Sequence, residues 1–168
     1  MEGFRTIKAS DMQGNVFQKI GQQWMLVTAG SPSDYNTMTA SWGTMGILWG
    51  KPVAFCFVRP QRYTYQFMEK NEFFTLSFLP ENYREALNIC GTKSGREIDK
   101  AKETGLTVID VEGTAAFAQA ELILLCRKAY SQDIEKSRFI LTELDKQCYP
   151  QEDYHRMYVG EIVSVYSK

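Results

Sequence analysis

Three stretches of this chain gather side chains that could do chemistry together. Asn36-Thr37-Met38-Thr39-Ala40-Ser41-Trp42 offers small residues and backbone amides beside an indole. Arg59-Pro60-Gln61-Arg62-Tyr63-Thr64 offers fixed positive charge and a hydroxyl where the pattern predicts a strand giving way to a helix. Cys90-Gly91-Thr92-Lys93-Ser94-Gly95-Arg96 adds two more cations and a serine among glycines that free the backbone to wrap an anion. Unpaired amides at a helix start favour phosphate, and arginine suits bidentate contact with it. Small side chains beside an aromatic let a flat ring approach the chain closely. The three stretches together suit a phosphorylated, planar, redox-active ligand. No serine, cysteine or histidine is nominated as a catalytic residue.

Each stretch also has a purely structural reading. The first can be a Thr/Ser-rich edge strand with a core tryptophan, and the second a solvated charged loop. In the third, Ser94 and Glu97 fit a capping box that starts a helix with or without a ligand.

The elements that must position these residues alternate between strands and helices. Trp24–Ala29 is rich in strand formers and stops at the turn cluster from Gly30 to Asp34. Met38–Trp42 predicts a second, short strand, after which Gly43, Gly46, Gly50 and Pro52 predict tight turns. The apolar run Val53–Val58 predicts a strand buried on both faces. Tyr63–Lys70 predicts a helix after Pro60, and Glu72–Leu79 a strand ended by Pro80. Tyr83–Cys90 predicts a helix capped by Asn82, and a further helix runs from near Ser94 through Lys102 until Gly105 closes it. Ala115–Tyr130 alternates as one long strand or a bent pair, with apolar residues on both faces. A helical turn is expected around Phe139, Leu141 and Leu144, and Arg156–Tyr166 returns to strand. Many strands over the whole length, with no repeat or linker, point to one mainly β domain over residues 1–168: a closed or nearly closed antiparallel barrel with helical insertions.

Composition narrows the partners. With 168 residues, 44% hydrophobic and 23% charged, the chain can bury one sizeable core. A net charge of -1 leaves no global basic field for nucleic acid, and the apolar runs are far shorter than the roughly 20 residues that span a bilayer. No signal-peptide core stands at the start, so a cytoplasmic location is expected. Cys56, Cys90, Cys126 and Cys148 show no CxxC spacing, which argues against a disulfide framework or a zinc site.

Taken in order, Thr39-Ala40-Ser41-Trp42, Arg59-Pro60-Gln61-Arg62-Tyr63-Thr64, Cys90 to Arg96 followed by Asp99-Lys100, and Tyr158-Val159-Gly160-Glu161-Ile162-Val163 resemble the flavin reductase-like proteins, in particular the flavoredoxin branch. The resemblance covers nearly the whole chain. It implies an FMN-binding split β-barrel, FMN held at a homodimer interface, and an NAD(P)H-dependent oxidoreductase. Electrons would come from NAD(P)H or a protein electron donor and pass to a flavin, a metal complex or a protein acceptor; the alternative is an FMN-binding electron carrier without nicotinamide turnover. The implied flavin shell is Asn36, Thr37, Met38, Thr39, Ala40, Ser41, Trp42, Arg59, Gln61, Arg62, Thr64, Lys93, Ser94 and Arg96. Ala101 departs from the branch, where an aromatic residue commonly follows the Asp-Lys pair. His155, the only histidine, stands at a strand start and is expected at the surface.

Overall fold

Short β-forming runs separated by turn residues pair here into one antiparallel sheet of eight strands and a separate two-stranded hairpin, in a computed structural model that describes residues 2–168. In chain order the strands are β1 (Arg5–Ile7), β2 (Met25–Ser31), β3 (Asp34–Ala40), β4 (Gly43–Leu48), β5 (Lys51–Val58), β6 (Phe73–Phe78), β7 (Val108–Val111), β8 (Thr114–Phe117), β9 (Leu122–Asp133) and β10 (Arg156–Ser167). The helices are α1 (Val16–Gln18), α2 (Tyr63–Lys70), α3 (Arg84–Thr92), α4 (Lys100–Thr104) and α5 (Thr142–Cys148). Neighbours in the large sheet run β3-β2-β6-β9-β10-β5-β4, with β1 also paired to β10 and β7 paired to β8 apart from them.

The two ends of that order, β3 and β4, are separated in the chain by Ser41 and Trp42 alone. A sheet whose outermost strands are joined by two residues has to curl until its edges almost meet. The result is a barrel open along one seam, the split barrel that the family resemblance implies, and the seam is crossed by Ser41 and Trp42.

Alternation along the strands fills the interior. Met25, Val27 and Ala29 of β2, Phe74, Leu76 and Phe78 of β6, Leu124 and Cys126 of β9, and Tyr158 and Ile162 of β10 pack with Phe67 and Met68 from α2. On β5, Ala54, Cys56 and Val58 face this core, whereas Phe55 and Phe57 are only partly covered, so the run is not buried on both faces as its composition suggests. The second apolar face of β9, Ile123 and Leu125, packs with Val111, Ala116 and Ala120 of the β7–β8 hairpin region. Both faces of the Ala116 to Leu125 pattern therefore find partners inside one chain, and they need no second copy.

Two helix starts differ from the sequence expectation. Tyr83, not Asn82, holds the cap position of α3, and no side chain caps it. Ser94 starts no helix: its carbonyl accepts from Glu97 N and Ile98 N in a turn, and α4 begins at Lys100 with Asp99 Oδ1 accepting from Lys102 N at 3.1 Å. Both are capping types, and tertiary contacts of Lys100 choose the later one. Gly105 closes α4 in the left-handed region, as expected. The glycine-punctuated segment expected to be turns is instead the edge strand β4. Gly43 lets it lie close to β5, since a Cβ there would stand 2.6 Å from Phe55 O.

Gly160 sits beside an irregularity in the β9–β10 register, where a Cβ would lie 2.6 Å from Phe74 Cζ and 2.8 Å from Cys126 Cβ. Gly160→Ala is expected to cost about 1–2 kcal/mol through overpacking. Urea unfolding should show a lowered midpoint at unchanged slope, and an unmoved midpoint would show that Phe74 yields freely.

Among the described residues no helix is long and apolar enough to cross a membrane.

Candidate functional site

β3 pairs with β2 on one side only, so its other edge carries backbone groups outside the ladder. The C-terminal half of α3 lies against that edge. Thr39 Oγ1 donates to Leu87 O at 2.5 Å, and Lys100 Nζ donates at 2.8 Å to both Thr37 O and Cys90 O. The approach is close because residue 91 is glycine: a Cβ there would stand 3.3 Å from Thr39 Cβ.

Past this contact, Met38, Thr39, Ala40, Ser41 and Trp42 line a cavity of about 310 Å³ with Phe57, Arg59, Arg62 and His155. Arg59 is held by an ion pair with Asp153 and by a 3.0 Å bond to Cys148 O, and it lies over the ring of Tyr149. Gln61 supports the same carboxylate, donating to Asp153 Oδ2 at 2.6 Å. Arg62 donates to Gly91 O at 2.6 Å and reaches Cys90 O at 3.4 Å.

A second cavity of about 250 Å³ brings together Asn36, Thr37, Tyr63, Gly95 and Lys100. Asn36 Nδ2 donates to Thr64 Oγ1 at 2.7 Å, both side chains being buried. Gly95 closes over this pair, since a Cβ there would fall 2.0 Å from Asn36 Oδ1. Gln61, Thr64, Lys93, Ser94 and Arg96 line neither cavity. Lys93 and Arg96 are exposed, with Arg96 lying over Tyr63, and Ser94 Oγ accepts from Arg96 N.

Two residues outside the sequence-derived shell enter the site. His155 is 8% exposed, not a surface residue. Its Nδ1 shares a 2.9 Å hydrogen bond with Tyr149 OH, and its ring lies 5.0 Å from that of Trp42. Burial, reinforced by the charge of Arg59, pulls it down to about 4, so the imidazole is neutral at pH 7. Lys100 is 6% exposed, and its only sequence signal is the Asp99-Lys100 pair.

A cavity that presents a strand edge on one side and two arginines on the other, with no activated nucleophile beside them, fits cofactor binding better than covalent catalysis. Residues 17–168 match the family model described as the flavin reductase like domain. The chain belongs to the flavin reductase-like family. Several solved structures share this flavin reductase-like fold at low identity. An FMN-binding protein from Thermus thermophilus with bound p-hydroxybenzaldehyde is 19% identical at a TM-score of 0.70, over 98% of this chain and 82% of that one. A flavoredoxin from Methanosarcina acetivorans is 22% identical at 0.68, over 96% and 76%. A Streptomyces globisporus C-1027 NADH:FAD oxidoreductase, solved with NAD and FAD fragments, is 18% identical at 0.65, over 87% and 74%. No curated protein matches the chain.

Proposed function

We infer that this flavin reductase-like protein binds FMN and carries electrons from NAD(P)H through it to a flavin, a metal complex or a protein acceptor. The observation behind this reading is the cavity between Met38–Trp42 of the edge strand and Arg59 and Arg62. Its donor set fits the cofactor: backbone amides and small side chains suit the carbonyl-bearing edge of a flat ring, and the guanidinium groups suit a phosphate. Bound FMN would supply the hydride and electron chemistry. The chain's own residues bind, orient and gate. Trp42, 46% exposed, stands at the rim of the cavity against His155 and limits what reaches it. His155 offers a hydrogen bond without adding charge to the site. Family membership also supports a homodimer, and Ile47 and Trp49, 75% and 58% exposed on and beside edge strand β4, give a second copy apolar surface to cover.

The test has two stages. Saturating FMN should raise the thermal midpoint and have its own fluorescence quenched on binding; if neither happens, the ligand assignment fails. Excess NADH or NADPH without oxygen should then bleach the flavin absorbance in a saturable phase. Bleaching by dithionite alone would replace the reductase reading with that of a carrier awaiting a protein donor.

A further inference from the structure

His155 has one ring nitrogen bonded to the chain and one that is not. Its Nδ1 shares the 2.9 Å hydrogen bond with Tyr149 OH, and that phenol makes no other hydrogen bond among the described residues. Nε2 has no partner among them, yet it does not belong to the polar atoms sealed from solvent, so it opens on the cavity that His155 lines with Trp42, Phe57 and Arg59. The ring cannot turn over to trade these roles. Trp42, Phe57 and Tyr149 pack around it at centroid distances of 5.0, 6.4 and 5.6 Å, and a turned ring would set a carbon, Cδ2, against the phenol.

The phenol decides which nitrogen carries the proton. Burial, followed by the charge of Arg59, leaves the imidazole neutral at pH 7, with one N–H and one bare nitrogen to divide between Nδ1 and Nε2. With the proton on Nδ1, the ring would donate to the phenol oxygen, and the phenol's own hydrogen would have no acceptor although the side chain is buried. With the proton on Nε2, the phenol donates to the bare Nδ1, and the hydrogen left over faces the cavity, where a ligand or solvent accepts it. The first arrangement strands a buried donor and is the costlier one. Tyr149 is itself held in place, since Arg59 lies over its ring at 5.2 Å and the rings of Tyr154 and Phe139 stand 4.8 and 5.9 Å away.

We propose that Tyr149 is a positioning residue that locks His155 as the Nε2–H tautomer, so that the cavity wall beside Trp42 is an uncharged donor that selects a flat ligand bearing a carbonyl over one bearing an N–H. The neighbours on that side reinforce the choice, because the side chains of Trp42, Arg59 and Arg62 donate and do not accept. The rings of Trp42 and Phe57 suit a planar ligand. The carbonyl belongs either to the flavin ring or to a reactant that enters beside it. Those two sources rest on the function inferred above, whereas the tautomer does not.

The experiment follows the single histidine of the apoprotein at pH 7 by long-range proton–nitrogen NMR, which tells a protonated ring nitrogen from a bare one. The wild type is compared with Tyr149→Phe, which removes the hydroxyl and keeps the ring. The wild type is expected to carry its proton on Nε2 alone, and in Tyr149→Phe the Nδ1-protonated form should appear beside it. A wild-type proton on Nδ1 overturns the proposal even if the variant does not fold. Acetophenone, whose carbonyl only accepts, and N-methylaniline, whose N–H donates, are then titrated into both proteins. The wild-type preference for acetophenone is expected to fall about fivefold in Tyr149→Phe, in part through a gain in N-methylaniline binding. A tyrosine that merely holds the fold would cost both fragments equally. That result, an unchanged preference, or a wild type that binds neither fragment overturns the selection. Repeating the titrations on FMN-loaded protein separates the two sources: acetophenone that still moves the Nε2 signal assigns the donor to a reactant, and acetophenone that is shut out assigns it to the flavin. If the wild type takes up no FMN, the function inferred above fails and the apoprotein result stands on its own.

Discussion

Arg59→Ala is expected to destabilise the protein by about 2–3 kcal/mol and to loosen residues 142–155 as a unit. Arg59 joins the end of β5 to the segment between β9 and β10 in three ways, through Asp153, through Cys148 O and across the face of Tyr149. Its side chain is 26% exposed and that of Asp153 18%, so the loss falls below the 3–5 kcal/mol typical of breaking a fully buried pair. The truncation leaves Asp153 with Gln61 as its remaining side-chain partner, and Asp153 Oδ1 is already buried without a hydrogen bond. Urea unfolding should give the stability change, and hydrogen exchange should accelerate in α5 and up to His155. Removing Asp153 as well should recover part of the cost. If the double variant is as unstable as the sum of the singles, the pair is uncoupled and the segment is held by packing alone.

Acid should destabilise the fold through His155, because the folded state binds that proton poorly. The imidazole falls from 6.5 to about 4 through burial and then the charge of Arg59, with Asp153 opposing and Arg62 adding a smaller push. Protonation therefore favours the unfolded chain. Stability from this residue is fully present above about pH 6.5, is lost as pH falls from there to about 4, and stays level below. The loss is on the order of 2–3 kcal/mol, somewhat less than the full difference in pKa allows, since part of the ring remains solvated. As the only histidine, it gives a single imidazole signal to follow by NMR, and a midpoint near 6.5 would show a ring open to water. His155→Phe should flatten the stability profile across the same window.

The sequence reveals elements whose limits are set locally. Tyr63–Lys70 is read to the residue, because Pro60 bars a helix before it and the apolar spacing carries one through it. β6 lies within the alternating run Glu72–Leu79 and β10 covers Arg156–Tyr166, whereas the alternating run Ala115–Tyr130 divides between β8 of the small hairpin and β9 of the large sheet. β4 is not legible in this way: its glycines read as turns, and its strand character comes from pairing with β5. The choice of Asp99 over Ser94 as a helix cap depends on Lys100 being pinned to a carbonyl 63 residues away in the chain. The same dependence hides half of the site. Met38–Trp42 and the two arginines could be named from residue type, but lysine is rarely buried, and only the meeting of β3 with α3 puts Lys100 under cover. His155 is concealed for a similar reason, since Trp42, Tyr149 and Arg59 come from three separate segments. What covers the apolar second face of β9 is equally hidden, because nothing in that run tells that the β7–β8 hairpin folds back over it.

The position of β10 has a consequence for how this protein is made. The last of the ten described strands in chain order lies in the middle of the sheet, bonded to β9 along one side and to β5 and β1 along the other. Until Arg156–Ser167 has left the ribosome, β5 with β4, β1, and the block of β3, β2, β6 and β9 have no hydrogen-bonded link to one another. The edges of β5 and β9 that β10 covers stay unpaired for the time that translation takes, and the barrel closes in one late, long-range step. A nascent chain stalled inside that strand is thus expected to be a substrate for chaperones and proteases.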